Sequence, residues 1–186
     1  MTTSMRSLSA TVAILTLVIF LATPAFANTP KWATKSDSTI VEFAVGASGE
    51  PFDFDTNGED FDILVAALIA TGTVEVFDGS DFTVFAPNDQ AFYNLTGANN
   101  DAEAFNAVVD LLDVEGVAAV LAYHVTEGVH NSRSVTRAKM RTMLDGNTIS
   151  FDSGLIIAGQ SEAGLLDIDN RLADGMVHVI DSLLLP

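Results

Sequence analysis

The chain has 186 residues, 48% of them hydrophobic, and a formal net charge of −17 from 8 basic and 25 acidic residues. That much apolar content excludes a disordered chain, and the acidic balance excludes nucleic acid and charge-driven attachment to anionic lipid. With no cysteine, disulfides, thiolate metal sites and cysteine nucleophiles are excluded as well.

Residues 1–27 read as a secretory signal. Arg6 gives a weakly basic start, Thr11 to Ala22 is apolar, and Ala25-Phe26-Ala27 is an A-x-A cleavage signature. The apolar core is short for a membrane span, which needs about 20 residues. A short leader, 28–37, precedes a single domain over 38–186. The mature chain is expected to be secreted or periplasmic, with no stable membrane anchor once the signal is removed.

Ile40 to Val45 opens the domain as a helix or a strand, since short apolar runs are ambiguous. Phe61 to Ala70 is predicted helical: Asp60 is the expected cap, Phe61, Leu64 and Leu68 share a face, and Gly72 ends it. Thr83 to Ala86 is a short apolar strand stopped by Pro87, which has no N–H for a ladder. Asn88 then fits an N-cap, with Asp89 placing negative charge in the first helical turn. Two more helices follow, Ala102 to Leu112 and a short one near Val117 to Tyr123, leading into a strand at His124 to Thr126. Arg133 to Leu144 is expected to be extended. Asp145-Gly146 between Arg141–Leu144 and Thr148–Phe151 signals a hairpin. Strands are predicted at Leu155 to Ala158, Leu165 to Ile168, Met176 to Ile180 and Leu183 to Leu185. The Met176 to Ile180 run is apolar on both faces save for His178, the pattern of a central, covered strand. Helices early and strands late argue for an α+β class.

The charges are segregated. Arg133, Arg137, Lys139 and Arg141 are four of the seven basic residues outside the signal. Their odd numbering places them on one face of an extended segment, either a charged edge strand or a basic patch for an anionic polysaccharide or for acidic loops of another copy. The acids crowd into Glu50, Asp53, Asp55, Glu59, Asp60 and Asp62. Asp53, Asp55, Asn57 and Gly58 read like the opening of a calcium loop, with oxygen ligands at alternate positions and glycine at the turn. Leu64 stands where that loop needs a bidentate Glu, so the alternative is a plain acidic insertion with a helix cap.

The catalytic inventory is thin. No G-x-S-x-G elbow, H-E-x-x-H, Walker loop or G-x-G-x-x-G occurs. Of the histidines, His178 reads as buried and hydrogen-bonded, His124 as holding a helix-to-strand corner, and His130 as lying in an exposed loop. No cofactor is expected beyond weak calcium, and an enzyme is not expected.

Three stretches together carry a family resemblance: TVFAPNDQAF over Thr83 to Phe92, LAYHVTEG over Leu121 to Gly128, and GMVHVIDSLLLP over Gly175 to Pro186. In this order they resemble the signature segments of the fasciclin-like domain, with Asp174-Gly175-Met176-Val177 where the family usually has Asn-Gly-x-Ile. The resemblance implies a β-sandwich or wedge of about seven strands with a helical layer. It also implies an extracellular adhesion or interaction module that contacts a cell-surface or matrix protein, with Tyr123 and His124 matching a pair tied to partner contact and to fold integrity. No RGD tripeptide occurs. A second reading, also drawn from relatives, is a carrier of an apolar small molecule such as a carotenoid, with Phe52, Phe54, Phe77 and Tyr93 lining a groove.

Overall fold

The computed structural model describes residues 31–49, 54–77 and 81–186, without the side chains of Trp32 and Phe77. The signal region, residues 28–30 of the leader, Phe52 and Asp53 lie outside the described residues.

A 3-10 turn at Lys31–Ala33 leads to α1, Ile40–Ala47. The ambiguous opening run is helical because a capping box fixes its start. Thr39 Oγ1 accepts from the Glu42 N–H, and the Glu42 carboxylate accepts from the Thr39 N–H. Helix α2, Asp62–Thr71, is buried from Asp62 through Leu68 and ends at Gly72 in the left-handed region, φ 67°. Its expected cap is corrected. Phe61 occupies the N-cap, Asp60 caps nothing there, and the N–H groups of Asp62 and Ile63 donate instead to the Asp89 carboxylate at 2.8 and 3.0 Å. The carboxyl group that satisfies this helix start comes from a distant part of the chain.

A second 3-10 turn, Thr73–Phe77, precedes β1, Phe82–Pro87. Asn88 caps α3, Asp89–Thr96, through its side chain to the Ala91 N–H. Helix α4, Asp101–Tyr123, is two helical segments broken at Asp113, whose φ of 55° and ψ of 176° are not helical. The Asp113 carboxylate accepts from the Gly116 N–H and so restarts the helix. The chain continues through β2, Val125–Glu127, and α5, Ser132–Ala138. Strands β3, Met140–Thr142, β4, Thr148–Asp152, β5, Leu155–Ala158, β6, Ser161–Leu172, and β7, Gly175–Ile180, complete it.

Two expectations are overturned here. The segment from Arg133 is not extended throughout: Asn131 caps α5 by accepting from the Ser134 N–H, and Lys139, at φ 59°, breaks the helix before the short β3. Leu183 to Leu185 is no strand. Leu184 N–H donates to a histidine nitrogen, Leu185 N–H to the Ser161 hydroxyl, and the Leu185 carbonyl accepts from Gln160, so no ladder partner is left for it.

Among the described residues, seven strands form one mixed sheet in the order β2-β1-β7-β6-β5-β4-β3, with only β1 and β7 parallel. Strand β6 belongs to two halves: Ser161 to Gly164 pairs with β5, and Leu165 to Leu172 pairs with β7. Register shifts between Leu165 and Asn170, with Asp169 at φ 65°, bend the strand where the halves meet. The sheet folds back far enough that its two edges touch: Leu144 N–H donates to the Val125 carbonyl and Thr126 Oγ1 to the Thr142 carbonyl, both at 2.8 Å.

The result is a wedge under a helical layer. One face of β1 and β7 (Phe82, Val84, Ala86, Val177, Val179) packs on α1, α2, α3 and α4. The other face (Phe85, Ile180) packs on Ile149, Ile156, Ala158 and Ala163 of the folded-back half. Every residue of β1 and β7 is buried, as the apolar patterning of both strands requires. Gly175 is needed at the seam: a Cβ there would lie 2.2 Å from the Phe82 carbonyl oxygen.

Candidate functional site

Tyr123 and His124 sit at the end of α4, where the helical layer meets the sheet. Both side chains are buried, so neither presents a surface to a partner. The Tyr123 hydroxyl donates to the Thr148 carbonyl at 3.1 Å and accepts from the Gly159 N–H at 3.2 Å, tying α4 to the folded-back half. His124 Nε2 accepts from the Leu184 N–H, which puts the ring proton on Nδ1, where it donates to the Val120 carbonyl at 2.7 Å. Burial pushes the His124 pKa down to about 4 against a backbone bond that raises it, so the ring is neutral.

His178 is used in the same way. Its Nδ1 accepts from the Asp169 N–H, so the proton is on Nε2 and is donated to the His130 carbonyl at 2.9 Å. The ring stacks on Phe85 at a centroid distance of 5.6 Å. Burial holds its pKa down, so the 4.0 Å approach of the Asp169 carboxylate is not a charged pair. With both nitrogens of both rings committed to backbone, neither histidine is available as a base or ligand. His130 is half-buried rather than exposed, with Nε2 within 2.9 Å of the Glu127 carbonyl and 3.0 Å of Arg141 Nη1.

The basic residues converge by a route other than the expected one. Arg133 and Arg137, four apart on α5, share a helix face, and Arg141 reaches the same place from β3. With Asn131, Ser134 and Ala138 they line an open groove of about 590 Å³. Lys139, exposed on the strained residue between the two elements, does not line it. The groove owes its shape to α5, whose first turn is held by Asp169: its carboxylate accepts from the Ser132 N–H at 2.6 Å and the Ser132 hydroxyl at 2.9 Å. Arg141 Nε is enclosed without a hydrogen-bond acceptor. Asn131 and Ser134 escaped the sequence reading because only a helix brings them beside the arginines.

The acidic loop is likewise rearranged. Asp55 and Asn57 are exposed. Asp55 Oδ1 accepts from the Asn57 N–H in a tight turn, and Asn57 Nδ2 donates to Asp60 Oδ2 at 2.8 Å. Asp62, Asp89 and Asp101 are the first residues of α2, α3 and α4, and all three are fully enclosed. Carboxylate oxygens of Asp55, Asp60 and Asp62 lie within 4.8 Å of one another, as do those of Asp62, Asp89 and Asp101. Asp101 accepts from the Tyr93 hydroxyl and the Asp55 N–H. Burial, then the facing Asp60 carboxyl, pushes the Asp89 pKa up to about 9, and burial raises that of Asp101. Local reading could find these acids as helix-start residues but not their convergence.

An apolar cavity of about 70 Å³ lies between the helical layer and β1, with Phe43, Phe61, Leu64, Leu68 and Leu121 in its wall. Of the aromatics expected to line a groove, Phe54 packs on Phe105 at 5.8 Å and Tyr93 is buried with its hydroxyl on Asp101. Neither of them lines this cavity. Among the described residues no helix is long and apolar enough to cross a membrane.

Against known proteins, a family model described as the fasciclin domain matches residues 59–186. Protein sll1483 of Synechocystis sp. is 30% identical over 155 residues, covering 83% of this chain and 77% of that protein. Periostin of Homo sapiens is 28% identical over 141 residues, covering 72% of this chain and 15% of periostin. In three dimensions the chain is similar to a FAS1 domain pair from the insect cell adhesion molecule Fasciclin I. The TM-score is 0.55 at 13% identity, over 80% of this chain and 51% of that one. At that identity the likeness shows the fold.

Proposed function

This chain belongs to the fasciclin domain family, and we propose that it acts as an exported, non-enzymatic interaction module whose contact face is the groove lined by Arg133, Arg137 and Arg141. The solved structural neighbour comes from a cell adhesion molecule, which agrees with such a role. The single observation that carries the reading is the gathering of three of the chain's few cations, from two elements, at one open site in a protein of net charge −17. Guanidinium groups spaced along a groove suit a run of carboxylates or sulfates, which they bind in bidentate fashion. An anionic polysaccharide of a cell surface or matrix has that chemistry. Exposed charges also make such binding salt-sensitive, since the screening length is about 8 Å at physiological ionic strength.

The test is capture of the mature chain on immobilised polygalacturonate at low and high ionic strength, beside the Arg133→Glu/Arg137→Glu variant. Binding at low salt that the variant loses supports the reading. Equal capture of both proteins, or none of either, overturns it. Self-association lost in the same variant, without polymer capture, would replace the polysaccharide with the acidic surface of a second copy.

A second reading, an apolar ligand held between helices and sheet, is supported by the cavity beside Phe43, Phe61 and Leu121. A volume of about 70 Å³ accommodates a fragment rather than a carotenoid. A visible absorbance band co-eluting with protein purified from its native cells would favour the larger ligand and an opening of that cavity.

A further inference from the structure

We propose that Asp55, Asp60 and Asp62 form a binding site for one calcium-class divalent cation, with Asp89 and Asp101 behind it as counter-charge. Two observations carry this independently. The first is spacing: ligand oxygens on one calcium ion, each at about 2.3–2.6 Å from it, lie no more than about 5 Å apart. The Asp55, Asp60 and Asp62 carboxylates meet that limit, and Asp62 meets it again with Asp89 and Asp101. The second is an oxygen without a donor. Asp60 is 7% exposed; its Oδ2 accepts from Asn57 Nδ2, but its Oδ1 is enclosed with no hydrogen-bond partner. That carboxyl faces Asp89 rather than solvent. A buried carboxylate oxygen in this position needs either a proton or a cation.

The helix starts explain part of the acidity but not all of it. Asp89 uses both oxygens on the N–H groups that open α2, and Asp101 uses both on Tyr93 and the Asp55 backbone. Among the described residues no lysine or arginine pairs with Asp55, Asp60, Asp89 or Asp101. Negative charge therefore exceeds what the donors around it neutralise. Asp55, the exposed member, provides the entry side. The set differs from a linear calcium loop: Asn57 acts by orienting Asp60, and the ligands are drawn from the loop and from α2. A hard cation with oxygen ligands and tolerant geometry fits; magnesium, which demands near-octahedral order and gives up water reluctantly, fits less well.

The test uses the full mature chain stripped with a chelator and titrated with calcium or magnesium chloride by calorimetry, with thermal unfolding followed in parallel. Binding near one calcium per chain, a rise in Tm with calcium, and weaker binding of magnesium are expected. Asp55→Asn, at an exposed position, keeps the fold and lowers calcium affinity about tenfold or more, because ligand charge sets affinity in such sites. Asp60→Asn lowers it similarly. Calcium binding that neither variant weakens would overturn the assignment by moving the ion elsewhere on the acidic surface. Absence of heat and of any Tm shift at millimolar calcium would overturn the site itself. Neither outcome depends on the arginine groove.

Discussion

The two halves of the sheet treat polar groups in opposite ways. In the half made of β2, β1, β7 and the end of β6, the polar groups His124, His178, Thr83 and Thr126 are enclosed, and each is committed to a named partner. In the folded-back half, β3 has no buried residue, β4 has only Ile149 buried, β5 alternates between more exposed and buried positions, and α5 beside them carries Arg133 and Arg137 in the open. An enclosed polar group that loses its partner costs about 1–3 kcal/mol, whereas an exposed one is exchanged at little cost. The first half is therefore costly to change, and the second half, where the proposed contact face lies, tolerates substitution.

That contrast can be broken at its largest expected effect by placing one methyl group in each half. Gly175→Ala drives a Cβ into the Phe82 carbonyl at the β1–β7 seam. It should cost roughly 3 kcal/mol or more in urea unfolding, or prevent accumulation of folded protein. Gly146→Ala, in the β3–β4 hairpin at φ 89° with nothing within 4 Å of the new atom, should cost only about 1 kcal/mol. Equal losses at the two sites would contradict the difference between the halves.

The buried histidine sharpens it through pH. His124 is neutral in the fold with its pKa near 4 instead of 6.5, so between those values the unfolded chain binds a proton that the folded chain does not. Its contribution to stability is then complete above pH 6.5 and falls as pH drops toward 4, by about 1.4 kcal/mol per pH unit. Subtracting the pH profile of His124→Gln from that of the wild-type chain should leave this slope, because every other titrating group is common to both. A flat difference would mean that the ring is charged in the fold. The smallest effect belongs to the exposed groove: Arg133→Glu/Arg137→Glu should change unfolding free energy by about 0.5 kcal/mol or less.

How much of this was legible depends on the range of the interactions involved. β1, β5 and β7, the Asn88 cap and the Asp145-Gly146 hairpin follow from neighbouring residues, and each stands where expected. The split between the two parts of α4 was also legible, although its cause, the turn at Asp113, was not. Arg133 to Leu144 misled because basic residues at every second or fourth position fit a strand as well as a helix face; the Asn131 cap decides for helix in its first part. Leu183 to Leu185 has the apolar content of a strand but finds only His124 and the Gln160–Ser161 turn to bond. The α2 start is the clearest long-range case, because proximity in sequence favoured Asp60 while the fold delivers Asp89. Local pattern located the arginines and the acids, and only tertiary packing gathered them.

The most direct measurement is the ionic-strength dependence of polygalacturonate binding for the wild-type chain and for Arg137→Gln, read beside their unfolding curves. Wild-type affinity should fall steeply with salt, the variant should bind more weakly with a shallower dependence, and the two unfolding curves should superimpose. Binding that is indifferent to salt and to Arg137, or a variant that loses stability along with affinity, would contradict the assignment of contact to the exposed half.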